Sequence, residues 1–185
     1  MTVATKKAKT TALEAKPVPQ TAFSMRLMRE YTVPGAFYNT DAVLRTPESV
    51  FEFLKPFAAA EMTEVLWVLP LDVDGHLLTD GPVAISKGTL DSVSASPRDV
   101  FRVLLNTGAY LGVMVHNHPG TTPETLRPSK EDVEVSAMMV KLGWLHGIEI
   151  IDCMVINHGG FTSLARRGLL PPRPIKDIIS AIIGG

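Results

Sequence analysis

An alternation of apolar runs with amphipathic segments constrains the fold of this chain more than any other feature of its sequence. The runs LGVMVHNH (111–118) and IEIIDCMVI (148–156) are typical of buried strands, and EVLWVLPLDVDGHLLTDGPVAI (64–85) reads as two strands around the turn signal DVDG. Segments with helical periodicity separate them. The order helix, strand pair, helix, strand, helix, strands predicts an α/β (α+β) domain, in which helices sandwich a mixed β-sheet in three layers.

Three segments carry the start and stop signals of helices. TPESVFEFLKPF begins with Thr46 as a cap and a proline in the first turn, and SPRDVFRVLLNTGA runs from the cap Ser96 to Gly108. SKEDVEVSAMMVKLGWLHG is the third, and Gly147 is expected to end it. The apolar face predicted for this helix consists of Val133, Ala137, Val140 and Trp144.

The length of 185 residues favours one folded domain with extensions. Residues 1–21 are Thr, Ala, Lys and Pro without periodicity, which predicts a disordered tail. Residues 22–45 form a lead-in to which we assign no role, and residues 46–170 form the domain. Residues 171–185 are expected to form a Pro-rich turn and a short amphipathic helix, whose isoleucine stripe is expected to dock on the same core, with an oligomer contact as the less favoured alternative.

The composition argues against several classes of protein. There are 18 basic and 19 acidic residues, so the chain lacks the positive excess of a typical nucleic-acid-binding domain. No apolar run reaches the roughly 18–20 residues of a membrane span. Cys153 is the only cysteine, which excludes an internal disulfide and favours a reducing, cytoplasmic compartment. We expect this thiol to pack in the sheet as a small apolar group.

Two histidines end the strand LGVMVHNH, and they carry the clearest chemical signal. Residues two apart in a strand point to the same face, so His116 and His118 project together while Asn117 points away. Asp132 falls in the first turn of the following helix and can supply a carboxylate. Two nitrogens and one oxygen leave a fourth coordination position for water, as in catalytic zinc sites.

A purely structural interpretation competes with the metal site. Ser129-x-x-Asp132 matches a helix capping box, and taken alone that interpretation is the better one. The conjunction of a histidine pair, a Pro-rich loop, a serine and an aspartate, all between a buried strand and a helix, favours the metal. Both interpretations hold together if Ser129 caps the helix beside a ligand.

A hydrolytic metal site also needs a general base. Glu64 precedes the strand VLWVLPL, and Glu61 lies three residues earlier. From the residues alone, each is best interpreted as a solvated carboxylate at the edge of a strand, and neither is preferred to the other.

The motifs HNHP and PSKED resemble those of JAMM (MPN-plus, JAB) metalloproteases, and the chain resembles most closely the RadC-like branch of that superfamily. The resemblance extends over residues 46–170. The segments that carry it occur in the family order: KGTL, SPRDVFRVLL, VHNHPG, RPSKEDVE, GIEIIDCMVI and GGFTSLARRGLL.

This resemblance implies the MPN fold, which is similar to that of cytidine deaminases, and a role for each motif residue. It assigns zinc to His116, His118 and Asp132. It assigns a catalytic serine to Ser129. The family glutamate precedes by eight residues the aspartate that ends the first core strand, which selects Glu64 over Glu61. The implied function is a zinc-dependent peptidase or isopeptidase that acts on a peptide or an isopeptide-linked protein.

Two departures from the family pattern stand out. The loop TTPETLRPS carries a few extra residues, and Cys153 follows Asp152 where the family has histidine. Many members also carry an N-terminal helical module, and we expect none here.

Two alternative functions stay open, and the oligomeric state is not indicated. One alternative is an accessory protein of DNA repair that binds nucleic acid, which the charge does not support. The other is an MPN scaffold without metal, against which the complete set of ligands argues.

Overall fold

A five-stranded mixed sheet organises residues 42–88 and 96–172, the part of the chain that the computed structural model describes. The elements are α1 (Pro47–Ala60), β1 (Val65–Leu71), β2 (Val83–Lys87), α2 (Pro97–Thr107), β3 (Leu111–Asn117), α3 (Lys130–His146), β4 (Glu149–Ile156) and β5 (Phe161–Ser163). The strand order is β2-β1-β3-β4-β5, with β3 and β4 parallel and the other neighbours antiparallel.

Both faces of the sheet are buried, which explains the uninterrupted apolar run of β1. Leu66 and Val68 pack with α2 and α3, whereas Trp67 and Leu69 pack with α1 on the opposite face. All residues of β1 are buried as a result. The three-layer arrangement of helix, sheet and helices is the predicted fold.

The predicted helix boundaries agree with the structure. Thr46 makes a capping box at the start of α1, and Ser96 takes the N-cap position of α2 without a side-chain cap bond. Gly108 and Gly147 end α2 and α3 with φ angles of 69° and 71°, the left-handed conformation that favours glycine.

The strand expected after DVDG differs from the prediction. His76 and Leu77 make only isolated bridges, and the strand that pairs with β1 begins at Val83. The carboxylate of Asp72 accepts the backbone N–H groups of Asp74 and His76 at 2.9 and 2.8 Å. These contacts close a local turn and compete with ladder pairing.

The buried face of α3 is rotated from the predicted one. Val140 is buried as expected, but Val133 and Trp144 are only partly buried. The other buried residues are Ser136, Met139 and Gly143. A Cβ atom at Gly143 would lie 2.5 Å from the carbonyl oxygen of Ile148, so glycine is what lets the helix approach the start of β4 there.

The predicted tail (1–21), most of the lead-in and the C-terminal helix lie outside the described residues, and they stay predictions. Within the described ranges, no helix combines the length and apolar character needed to cross a lipid bilayer.

Candidate metal centre

The end of β3 presents the two histidines on one face, as the strand period predicts. The Nε2 atoms of His116 and His118 lie 3.1 Å apart. His116 is opposite Leu66 of β1. His118 lies just beyond the strand, and its backbone N–H donates to the carbonyl oxygen of Ile156 at 2.8 Å, which keeps it aligned with β4.

Asp132 reaches the same point from the first turn of α3. Ser129 Oγ accepts the N–H of Asp132 at 3.0 Å, and Asp132 Oδ2 accepts the N–H of Ser129 at 2.7 Å. Asp132 Oδ1 lies 3.3 Å from His116 Nε2, and Oδ2 lies 3.9 Å from His118 Nε2. The capping box and the approach to the histidines therefore coexist, and the cap fixes the orientation of the carboxylate.

The spacing of these three side chains fits a divalent metal ion. One ligand atom from each of His116, His118 and Asp132 lies within 4.8 Å of the others. Ligands at zinc–nitrogen distances in a tetrahedral site are separated by about 3.3 Å, close to the 3.1 and 3.3 Å between the nearest pairs here. The three side chains are 16–22% exposed, so an ion could enter from solvent.

Electrostatics favours the ligand forms of His118 and Asp132. Burial lowers the pKa of His118, and the neighbouring His116 lowers it further, while Asp132 opposes the shift. Burial would raise the pKa of Asp132, but the hydrogen bond and charge of His116, with the bonds from Ser129, hold that pKa well below its usual range. At neutral pH the site therefore offers a neutral imidazole at His118 and an ionised carboxylate.

The structure separates the two candidate glutamates. Glu64 Oε1 lies 4.0 Å from His118 Nε2, and the Glu64 side chain is 22% exposed. Glu61, the C-cap residue of α1, is 8% exposed, and its Oε2 lies 2.7 Å from Lys87 Nζ. Only the first of these carboxylates faces the histidine pair.

The turn between β4 and β5 supports the loop 119–128, a contact that the sequence analysis missed. The side chain of Asn157 is buried, and its Nδ2 donates to the carbonyl oxygen of Thr121 at 3.1 Å. Thr121 Oγ1 in turn donates to the carbonyl oxygen of His118 at 2.9 Å. A Cβ atom at Gly159 would lie 2.8 Å from Pro123, so glycine permits this close packing. The sequence feature that could have indicated this contact is an asparagine directly after an apolar strand, Asn157 after β4.

Cys153 lies in the core of the domain, away from solvent. Its residue is 3% exposed, and burial raises the pKa of its thiol to about 12. The expectation of a small packed group is confirmed, and an unreactive thiol follows.

The sequence of the chain was compared with those of known proteins. Residues 44–169 match the family model described as "RadC-like JAB domain". The UPF0758 protein STH371 of Symbiobacterium thermophilum is 36% identical over 127 residues, which cover 69% of this chain and 52% of that protein. A UPF0758 protein of Syntrophomonas wolfei is 36% identical over 132 residues, or 69% and 54% of the two chains.

A UPF0758 protein of Methanosarcina barkeri is 32% identical over 125 residues, which cover 68% of this chain and 52% of that protein. The chain thus spans about half the length of these curated relatives. Their names state no activity. The match to the family model nevertheless covers most of the residues that the structure describes, and with them the candidate metal ligands. The chain belongs to the RadC-like JAB domain family.

Proposed function

We propose that this domain is a zinc-dependent metallohydrolase that cleaves peptide or isopeptide bonds. The observation that supports the proposal is the convergence of two imidazoles and two carboxylates, from His116, His118, Asp132 and Glu64, at one edge of the sheet. The four side chains come from three separate segments of the chain: the residue before β1, the end of β3 and the first turn of α3. A set of this kind is what metal-assisted hydrolysis requires: ligands with an open position and a nearby base.

Zinc suits the donor set, because two neutral imidazoles and one carboxylate are the ligands of many catalytic zinc sites. A zinc ion held by His116, His118 and Asp132 would supply Lewis acidity, polarising the scissile carbonyl and lowering the pKa of a water to about 7. The capping contact from Ser129 keeps the Asp132 carboxylate aimed at the histidines.

Glu64 and Ser129 have separate roles in the proposed reaction. Glu64 accepts a proton from the attacking water and passes it to the leaving amine. Ser129 Oγ accepts the N–H of Asp132, so its own hydroxyl proton stays available to donate to the oxyanion.

Metal content is the first test. We expect about one tightly bound zinc per chain in the wild type and a large loss in the His116→Ala/His118→Ala double variant, measured by elemental analysis after removal of weakly bound ions. Equal metal in both proteins would place the site elsewhere.

Turnover is the second test, and it compares the two glutamates. A panel of peptides and isopeptide-linked conjugates first identifies a cleavable substrate for the zinc-loaded wild type. Glu64→Gln should then lose about 10²–10⁴-fold in kcat with full zinc content, because the amide cannot accept a proton. Glu61→Gln is the matched control: it disturbs the ion pair with Lys87 but leaves the carboxylate beside His118 in place.

Two outcomes would contradict the proposal. If Glu61→Gln abolishes turnover and Glu64→Gln does not, the assignment of the base is wrong. If the zinc-loaded wild type cleaves nothing, the scaffold and the DNA-accessory alternatives take precedence. A salt-dependent shift of duplex DNA would then favour the accessory.

A further inference from the structure

The residue between the two histidines makes contacts of its own on the other side of β3. Asn117 is 1% exposed, and its side chain points away from the metal ligands. Its Oδ1 accepts the backbone N–H of Val65 at 2.7 Å, and its Nδ2 donates to the backbone carbonyl of Thr63 at 3.1 Å. The two bonded residues are the immediate neighbours of Glu64.

These contacts continue the sheet beyond the end of its backbone ladder. The pairing between β1 and β3 ends at Leu66 and His116, and the next residue back along β1 bonds to a side-chain amide instead. The carbonyl oxygen of Glu64 itself accepts the N–H of Gly88 at 3.1 Å. Hydrogen bonds thus fix the backbone at Thr63, Glu64 and Val65, where β1 begins.

We propose that Asn117 is a positioning residue that holds Glu64 at the metal centre by fixing the backbone before and after it. This inference rests on the proposed function, in which Glu64 is the general base. One short stretch of β3 then controls both parts of the site: the two histidines bind the metal on one face, and the asparagine between them sets the base from the other. The base and the two histidines keep a fixed separation because the backbone on either side of Glu64 is bonded to the residue between the histidines.

The chemistry of the amide explains why asparagine suits this position. A side-chain amide offers an acceptor and donors together, as a peptide group does. Aspartate keeps the acceptor for Val65 but has no donor for Thr63, and leucine, of similar size, has neither. Asn117→Asp and Asn117→Leu therefore remove the contacts stepwise without leaving a large cavity.

Asn157 provides a matched control. It is also 1% exposed, and it also holds backbone groups through both ends of its amide, at Thr121 and at Gly160. It makes no hydrogen bond to residues 63–65 among the described contacts. If the asparagines only stabilise the fold, substitutions of Asn117 and Asn157 should have the same effect. A positioning role predicts that only the substitution of Asn117 changes the backbone next to Glu64.

Amide hydrogen exchange gives a readout that does not depend on activity. In Asn117→Leu we expect the Val65 amide to exchange about tenfold faster or more, because its acceptor is lost, with zinc content unchanged. Asn117→Asp should keep that amide protected, and Asn157→Leu should leave it as in the wild type. Unchanged exchange in Asn117→Leu, or equal acceleration in Asn157→Leu, would overturn the inference.

A double-mutant cycle on turnover completes the test. A displaced base should cost Asn117→Leu about 10–100-fold in kcat with little change in KM. If the residue acts through Glu64, adding Asn117→Leu to Glu64→Gln should lower kcat no further. Additive losses would overturn the inference. If the wild type cleaves no substrate, the proposed function fails, and the exchange comparison alone decides whether Asn117 places Glu64.

Discussion

Two aspartates, Asp132 and Asp152, show how differently one side chain is used in this fold. The first lies at the start of α3, with its side chain 22% exposed beside two imidazoles. The second lies in β4 and is 7% exposed, where it accepts the hydroxyl of Ser163 at 2.5 Å and the N–H of Ala165 at 3.0 Å. Each carboxylate thus anchors a local turn of the backbone.

The surroundings move the pKa values of the two carboxyl groups in opposite directions. Burial raises the pKa of Asp152 despite the hydrogen bonds from Ser163 and Ala165. At Asp132, burial is outweighed by His116 and by the bonds from Ser129, and the pKa falls. The Asp132 carboxylate, which keeps its charge beside two partly exposed imidazoles, is suited to bind a metal ion. The Asp152 carboxylate is buried and both its oxygens accept hydrogen bonds, so it is suited to stabilise the fold.

The same substitution at both positions should have different consequences, and the largest is at Asp132. Asp132→Asn removes the anionic ligand but keeps an acceptor for the capping bond from Ser129. Loss of an outer-shell partner already costs 10–100-fold in metal affinity, so loss of this ligand should cost more than about 100-fold. Competition with a chelator measures this, and the metal-free variant should also melt at a lower temperature, because it loses the charge contact with His116 that lowers the pKa of Asp132. Unaltered zinc affinity would remove Asp132 from the ligand set.

At Asp152 the effect should be on stability. Asp152→Ala leaves Ser163 Oγ and the Ala165 N–H without their acceptor and should cost about 2–4 kcal/mol of unfolding free energy. Asp152→Asn retains one acceptor and should recover most of this loss. Denaturant unfolding of the metal-free proteins measures both, and zinc affinity should stay at the wild-type value. A loss of zinc affinity in either variant would contradict the separation of the two aspartates.

The smallest expected effect is the pH dependence of metal binding. The pKa of His118 is lowered from 6.5, so its imidazole is neutral at pH 7 and accepts a metal without releasing a proton. As the pH falls through this lowered pKa, protons compete, and the His118 site should lose up to about tenfold in zinc affinity per pH unit.

In the metal-free protein the lowered pKa also has a consequence for stability. The His118 imidazole binds a proton at a higher pH in the unfolded chain than in the folded one. Its contribution to the free energy of unfolding is therefore fully present above pH 6.5 and is lost as the pH falls through the lowered pKa. Zinc titrations and unfolding curves between pH 5 and 8 test both statements, with His118→Gln as the comparison. Affinity that rises on acidification would contradict them.

Local rules were sufficient for much of the fold and for the candidate metal ligands. The period of two in β3 placed His116 and His118 together, and the capping signal placed Asp132 in the first turn of α3. The helix caps and the glycines that end α2 and α3 were also predicted from patterns of a few residues. The strand after DVDG and the buried face of α3 were predicted less well, because a side-chain contact at Asp72 and a close approach at Gly143 decide them.

The sequence by itself determined which residue types meet at the end of β3, because strand period and helix capping act over a few residues. Local patterns left Glu61 and Glu64 equivalent, and only the family resemblance preferred Glu64. The tertiary structure separates them by contacts, because the fold gives each a different neighbour. The first meets Lys87 on the edge strand, and the second meets His118. Such pairings join residues more than twenty positions apart, and they depend on the register of strands that no local pattern specifies.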